Sequence, residues 1–373
     1  MSRERVLVAM SGGVDSSVAA ALLHHDGFDV VGVWMRLHDV ADTYSEFKRS
    51  CCSLDAAEDA RRVAGQLGIP FHVLNLEAAF GRGVLQPFLE AYQAGETPSP
   101  CVDCNSTVKF GALLGRARHL YGCVAVATGH YARVDRMTDP ATGGQRYRLL
   151  AGRDPDKDQS YFLYGLGQAQ LAHTRFPLGD LTKLEVRAIA REHGLATAAK
   201  PESQEICFVP GGDYRTALRD RAGWTPTPGP VLDADGTVVG QHQGVAAYTV
   251  GQRQGLGVAL GEPRYVARLD AAANLVQLGR RDDLQRRTFA LRDVAFVSGR
   301  PPDPAGFEAE VRIRHRATPV PARIRPRGDG AARGVVWDVE VGQPVWAPAP
   351  GQAAVFYAAG EVLGGGRIVA PGA

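Results

Sequence analysis

The chain has 373 residues, more than one hydrophobic core ordinarily serves, so two or three domains are expected. Its composition is that of a globular protein, 45% hydrophobic and 22% charged, and its formal net charge of only +2 excludes a uniformly basic chain that coats nucleic acid. No stretch is apolar for long enough to cross a bilayer, and "MSRERVLVAMSGG" carries no signal-peptide core, so the cytoplasm is the expected compartment.

In chain order, "RVLVAM" (Arg5–Met10) reads as a buried parallel strand and "VDSSVAAALLHHDG" as an Ala- and Leu-rich helix closed by Gly27. "DVVGVWM" (Asp29–Met35) is a second strand. "SLDAAEDARRVAGQLG" is a helix with Ser53 as N-cap, acids in its first turns and Gly68 at its close. "PFHVLNL" (Pro70–Leu76) is a third strand, followed by helices near Ala78–Ala94 and from about Asn105 to Leu120. "CVAVAT" (Cys123–Thr128) is a fourth strand. Strands alternating with helices predict an α/β domain with a doubly wound parallel sheet. The pattern changes after about residue 205, where Gly, Pro and short β-like runs take over. From about Thr288, alternating stretches such as "FEAEVRIRH" and "VVWDVEV" predict a small β-barrel. The expected division is 1–207, a small central domain 208–285, and a barrel 286–373.

Between the first strand and first helix lies "AMSGGVDSS", the place for phosphate in a doubly wound sheet. Gly12 and Gly13 let backbone N–H groups approach an anion, and the helix start adds unpaired donors. Ser11, Ser16 and Ser17 offer hydroxyls, and Asp15 suits a Mg²⁺ bridging phosphates. No Lys-Ser/Thr pair follows the glycines, so this is not a Walker A loop, and the dinucleotide GxGxxG pattern is absent.

Of six cysteines, Cys123 opens an apolar run and reads as a core residue, and Cys51 and Cys52 have no clear role. The spacing of Cys101 and Cys104 alone permits a metal half-site, a redox pair or one reactive thiol. A closed zinc site needs four ligands, and no second CxxC or HxxxH accompanies the pair. With Asn105 or Ser106 as N-cap of the next helix, Cys104 would lie just before a helix start with Lys109 a turn on, which favours a thiolate.

"SGGVDS" resembles the pyrophosphatase loop of the N-type ATP pyrophosphatases. "GETPSPCVDCNSTVKFG", "ATGHYARV", "KDQSYFLYGL", "KPESQEICFVPGGDY" and "TVGQRQGLG" follow in order. With the β-rich C-terminus they resemble the bacterial tRNA-specific 2-thiouridylases, the MnmA family, over essentially the whole chain. The resemblance implies ATP-dependent adenylation of O2 of uridine 34 in tRNAs for Lys, Glu and Gln, then sulfur transfer to C2. It implies Cys207 as persulfide carrier, loaded by a cysteine desulfurase or a sulfur-carrier protein, and Cys104 as the second catalytic cysteine, with a Cys104–Cys207 disulfide as one outcome. It implies ATP contacts at Ala9, Met10, Ser11, Gly12, Gly13, Val14, Asp15, Ser16, Met35 and Gly129, with Mg²⁺ held through ATP by Asp15. Ser99, Pro100 and Cys101 surround the target base, and Lys157, Asp158, Gln159, Arg314 and His315 contact tRNA. A monomer is the expected free state.

Arg312, Arg314 and Arg316 would share one strand face and, with Arg323, Arg325 and Arg327, form the basic patch. Some family members carry Asp at the position of Cys101. Cys101, Cys104 and Cys207 together would give three thiolate ligands for a [4Fe–4S] cluster, the alternative reading of the same reaction. An RNA-binding protein without catalysis would not need the intact phosphate loop.

Overall fold

The computed structural model describes residues 3–38, 53–139, 142–202, 206–209, 213–258, 260–328 and 334–370. Cys51, Cys52 and Ser203–Glu205 lie outside these residues.

The first sheet contains β1 (Arg5–Ala9), β2 (Asp29–Arg36), β3 (Phe71–Asn75), β4 (Ala125–Ala127) and, after the hairpin β5 (Ala132–Thr138)–β6 (Gln145–Ala151), β7 (Thr174–Arg175). Its order is β3-β2-β1-β4-β7 and its pairings are parallel. Val6, Leu7 and Val8 are fully buried because helices cover both faces of the central strand. Those helices are α1 (Val14–His25) and α2 (Leu54–Leu67), with two longer helical runs, α3 (77–93) and α4 (100–121). Ser53 caps α2 as expected, its Oγ accepting from the Ala56 N–H at 3.2 Å.

Among the helices of the first domain, two depart from the sequence reading. α4 starts at Pro100, not Asn105, with Ser99 as its N-cap residue. Proline is at home at a first helical position because its missing N–H would have had no intrahelical partner. From Cys104 to Leu113 the run winds with the wider hydrogen-bond spacing of a π-helix, a rare geometry frequent at functional sites. The second departure is α5 (Lys183–Glu192), which the sequence reading passed over. Its start is a capping box. The Thr182 Oγ1 accepts from the Glu185 N–H, while the Glu185 carboxylate accepts from the Thr182 N–H at 2.6 Å. That arrangement holds the Glu185 pKa down to about 2, chiefly through the backbone hydrogen bond from Thr182.

α6 (Tyr214–Ala222) leads to a four-stranded central sheet of β8 (Gly229–Leu232), β9 (Val238–His242), β10 (Tyr265–Asp270) and β11 (Leu275–Gly279), in the order β10-β11-β8-β9. The last region holds β12 (Gln285–Phe296), β13 (Phe307–Arg312), β14 (Val320–Pro326), β15 (Trp337–Trp346), β16 (Ala353–Ala358) and β17 (Glu361–Ile368). They run β12-β15-β14-β13-β16-β17 and close through β12–β17 into a barrel around Phe307, Trp337 and Phe356. The β5–β6 hairpin, from the expected first domain, joins this barrel sheet through β17. Arg146 seals the joint with a 2.8 Å ion pair to Glu361.

The expected arginine face does not form. β13 ends at Arg312 and a turn follows, so Arg314 and Arg316 leave the strand alternation. On β14, Arg323 and Arg325 do point outward, but acids occupy the neighbouring strands. Glu308 and Glu340 flank Arg323 in register, Asp338 is opposite Arg325, and Asp338 also pairs with Arg327 at 2.9 Å. Opposite charges across strands neutralise what read as a basic stripe.

Candidate active site

β1 is central, with β2 on one side and β4, reached only after β3, on the other. The carboxyl ends of β1 and β4 therefore flank a crevice of the kind in which doubly wound sheets bind ligands. Ala9, Met10, Ser11, Gly12, Gly13, Val14, Asp15 and Ser16 make the turn from β1 into α1. Gly12 has φ +69°, and a Cβ there would lie 2.1 Å from the Ala56 carbonyl oxygen, so only glycine lets the loop rest on the start of α2. Gly129, in the loop after β4, backs the other side. A Cβ at Gly129 would come within 2.7 Å of Asp15 C and Ser16 N. The structure thus brings Gly129 and the loop together. Met35 is half-buried near the carboxyl end of β2.

The serines divide. Ser11 is exposed. Ser16 is buried and accepts from the Ser11 N–H at 3.0 Å. Ser17 is fully buried and donates to the Gly13 carbonyl at 2.8 Å, so it braces the loop instead of facing a ligand.

Asp15 is enclosed by charge. Lys183, the first residue of α5, donates from Nζ to both carboxylate oxygens at 2.7 and 2.8 Å, and Tyr131 donates its hydroxyl to Oδ1 at 2.8 Å. Lys183 also reaches Glu202 at 3.0 Å, and Lys157 meets the same carboxylate at 2.8 Å. Burial pushes the Glu202 carboxyl up, but the hydrogen bonds from Lys157 and Lys183 outweigh it and leave its pKa below the ordinary value. On the other side Lys200 Nζ donates to the Gly12 carbonyl at 2.9 Å and to Asp59 at 2.6 Å. The sequence reading missed Tyr131, Lys183, Lys200 and Glu202. The capping box at Thr182 was the signal that could have found Lys183 at a helix start.

Cys104 lies in the second turn of α4, and Asn105 is not a cap. Asn105 is buried, donates to the Phe162 carbonyl at 3.0 Å and accepts from Lys109 at 3.0 Å. The field of a helix end fades within its first turn, so it does not supply the argument for a thiolate that the sequence suggested. Cys104 is 8% exposed and belongs to a large apolar cluster against which both Met35 and Cys207 pack. Phe208, next to Cys207, is edge-on to Phe80 and Phe88 with centroids 5.4 and 5.0 Å apart. Those rings belong to α3, so an aromatic socket fixes the backbone beside Cys207. Cys101 is exposed. Among the described residues, no group of three or more His, Cys, Asp or Glu side chains is placed to hold a metal, so Cys101, Cys104 and Cys207 do not converge as the three-thiolate set of the cluster reading.

Ser99 is the N-cap residue of α4, and Pro100 and Cys101 open its first turn. The barrel braces the segment before them. The Thr97 N–H donates to the Pro350 carbonyl at 2.7 Å, and Arg292 clasps Glu96 through two bonds of 2.7 and 2.8 Å. Asp103 pairs with Arg367; burial nevertheless raises the Asp103 pKa, with Arg367 opposing it.

The expected tRNA contacts have internal partners here. Lys157 binds Glu202, and the Gln159 side-chain oxygen accepts from the Tyr131 N–H at 3.1 Å. Asp158 is 4% exposed and accepts from Gly152, Ser160 and, across the domain junction, Arg312 at 3.0 Å. His315 donates to the Asp158 carbonyl at 2.7 Å, and Arg314 donates to the Ala347 carbonyl at 2.6 Å while stacking on Trp346. Burial lowers the Arg314 pKa. Asp158, Arg312 and His315 join the barrel to the first domain.

Comparison with known proteins accords with this architecture. A tRNA methyl transferase HUP domain model matches residues 4–211, a tRNA methyl transferase PRC-barrel domain model residues 221–280, and an aminomethyltransferase β-barrel domain model residues 286–368. The tRNA-specific 2-thiouridylase MnmA of Roseiflexus sp. (strain RS-1) is 50% identical, with 98% of this chain and 99% of the relative covered. The protein of that name from Moorella thermoacetica is 50% identical over 97% of this chain and 98% of its own. Among solved structures, a 4-thiouridine synthetase–RNA complex with bound ATP covers 56% of this chain and 45% of that one at 18% identity and a TM-score of 0.36, too slight a likeness to bear on function. By its family model and its full-length relatives, this chain belongs to the family of tRNA-specific 2-thiouridylases, MnmA.

Proposed function

We propose that this chain is an ATP-dependent tRNA-uridine 2-sulfurtransferase that acts in the cytoplasm on uridine 34 of tRNAs for Lys, Glu and Gln. A uracil carbonyl oxygen is a poor leaving group. Attack of O2 on the α-phosphate of ATP expels pyrophosphate and leaves O2 as an adenylate, from which AMP departs readily. The loop from Ala9 to Ser16, with Met35 and Gly129, is the ATP-binding surface. Asp15, a hard oxygen donor at the mouth of that loop, fits Mg²⁺, which supplies charge neutralisation to the phosphates.

The sulfur step then needs two cysteines. Cys207 carries the terminal sulfur as a persulfide, received from a cysteine desulfurase or a sulfur-carrier protein. That sulfur forms a bond to C2 as the C2–O bond to AMP breaks. Cys104 attacks the Cys207 sulfur, either before this step to free hydrosulfide or after it to free the thiolated base. Either order leaves a Cys104–Cys207 disulfide, which an external thiol reduces. Ser99, Pro100 and Cys101 border the base.

The observation that supports this reading is a phosphate loop, Ala9–Ser16, backed by Gly129 in a chain 50% identical over 98% of its length to a tRNA-specific 2-thiouridylase. It is tested with anaerobically and aerobically purified protein, unmodified tRNA, Mg–ATP and a persulfide donor, with 2-thiouridine, AMP and iron measured together. Thiolation by iron-free protein that is lost in Cys207→Ser and Cys104→Ser is the expected result. Thiolation that scales with iron, or survives Cys207→Ser, would overturn the persulfide route.

A further inference from the structure

Cys101 and Cys104 are three residues apart at the start of α4, so they share a face of the helix. The turn between them is drawn tight. The Val102 N–H donates to the Ser99 carbonyl at 3.1 Å, and the Cys104 N–H is shared between the carbonyls of Cys101 and Pro100. Bonds that span three residues belong to 3₁₀ winding, which eclipses side chains three apart. In an ordinary α-helix the Cβ atoms of such a pair lie about 5–6 Å apart, and a disulfide needs about 3.5–4.5 Å. Tightening of this sense closes that gap.

Exposure separates the two thiols. Cys104 is 8% exposed on its apolar cluster, whereas Cys101 is the exposed one of the four cysteines among the described residues. Cys101 also lies within the first turn, where the field of a helix start favours the thiolate, and Cys104 lies beyond it. Nothing in the sulfur step described above uses the Cys101 thiol.

We infer that Cys101 is the resolving thiol of the sulfur cycle; this rests on the reading of Cys104 and Cys207 as the pair left as a disulfide. The Cys101 thiolate attacks Cys104 Sγ. A Cys101–Cys104 bond forms, the Cys104–Cys207 bond breaks, and Cys207 departs as a thiolate ready for the next sulfur. An external dithiol then attacks Cys101 Sγ. It is oxidised to its own disulfide, and Cys101 and Cys104 return as thiols. The reductant therefore meets sulfur at the surface, once the thiolated base that Cys101 borders has left, and has no need to enter the apolar cluster around Cys104. The relay also spares Cys207 a mixed disulfide with the reductant. Exchange passes through three sulfurs in a line, not three converged on one point, and among the described residues these three do not converge as a metal-holding set.

The test maps disulfides after one turnover. Protein carrying one persulfide on Cys207 is freed of reductant and mixed with Mg–ATP and unmodified tRNA. It is then quenched in acid, alkylated and digested, and linked peptides are counted by mass spectrometry against the 2-thiouridine formed. In wild type most of the disulfide should join Cys101 to Cys104, with Cys207 alkylated. In Cys101→Ser the disulfide per 2-thiouridine should join Cys104 to Cys207. Steady-state turnover of that variant should fall at least fivefold more with a dithiol protein as reductant than with dithiothreitol, which is small enough to enter the cluster. Thiolation by wild type that leaves Cys104 joined to Cys207 and Cys101 alkylated overturns the relay and leaves the persulfide route standing. Equal losses with the two reductants confine Cys101 to the base site and also overturn the relay. Thiolation that leaves no disulfide on Cys104 overturns the two-cysteine route, and the relay with it.

Discussion

Replacing Asp158 by alanine should loosen the whole molecule. Its carboxylate accepts from two backbone N–H groups, of Gly152 and Ser160 at 3.1 and 3.0 Å, and from Arg312 at 3.0 Å. Arg312 is itself stacked over Tyr357, 4.7 Å from the ring centroid, so it has little freedom to seek water. Removing one partner of a buried ion pair costs about 3–5 kcal/mol. The two orphaned N–H groups overlap with that loss, so about 3–5 kcal/mol stands for the whole. At about 2–4 °C per kcal/mol for a domain of this size, the apparent Tm should fall by roughly 6–20 °C. Thermal unfolding followed by circular dichroism measures this, alongside tRNA affinity by filter binding. Arg312→Met in the Asp158→Ala background should recover part of the loss by removing the stranded charge. An Asp158→Ala protein that melts within about 2 °C of wild type yet binds tRNA poorly would refute the argument, because that shift is under 1 kcal/mol on the same scale.

Other outcomes follow from the geometry. Gly129→Ala drives a methyl group into the backbone at Asp15 and Ser16; overpacking of this kind costs about 1–3 kcal/mol, and Mg–ATP affinity measured calorimetrically should drop by about tenfold. Phe208→Ala empties the socket beside Cys207, so thiolation should fall more than tenfold while ATP-dependent pyrophosphate release stays near wild type; equal loss of both would sink the positioning role. His130 shares a 2.7 Å hydrogen bond with Thr128, and burial, with Lys109 adding repulsion, holds its pKa well below the usual histidine value. The unfolded chain therefore takes up that proton first as pH falls below about 6.5, so stability present above that pH is lost on the way down. The Tm of wild type should decline from pH 7.5 to 5 more steeply than that of His130→Gln, and parallel curves would contradict it.

What could be read from sequence was what local chemistry decides. Ser53 and Gly68 bound α2 because an N-cap and a helix-ending glycine act within a few residues. The phosphate loop was legible for the same reason, as glycines and small hydroxyls between a strand and a helix. The start of α4 was misplaced because Asn105 looks like a cap, whereas Ser99-Pro100 is one. The burial of Asp158 was not legible because Arg312 and His315, which bond it, lie more than a hundred residues away. The arginines of β14 looked like a patch because strand register, which sets acids beside them, is a long-range property. The inward turn of Lys183 onto Asp15 was hidden for the same reason, since helix and loop meet only in the folded sheet.

The hairpin β5–β6 has a consequence for how the chain is made. Its free edge is completed by β17, and Arg146 finds Glu361 215 positions later. At synthesis rates of about 5–20 residues per second, roughly 10–40 s separate the two. For that interval the nascent chain carries an unpaired strand edge of the kind that invites pairing with other chains. This junction can form only after β17 has left the ribosome, so a truncation that removes β17 leaves the edge of a hairpin made more than two hundred residues earlier without its partner.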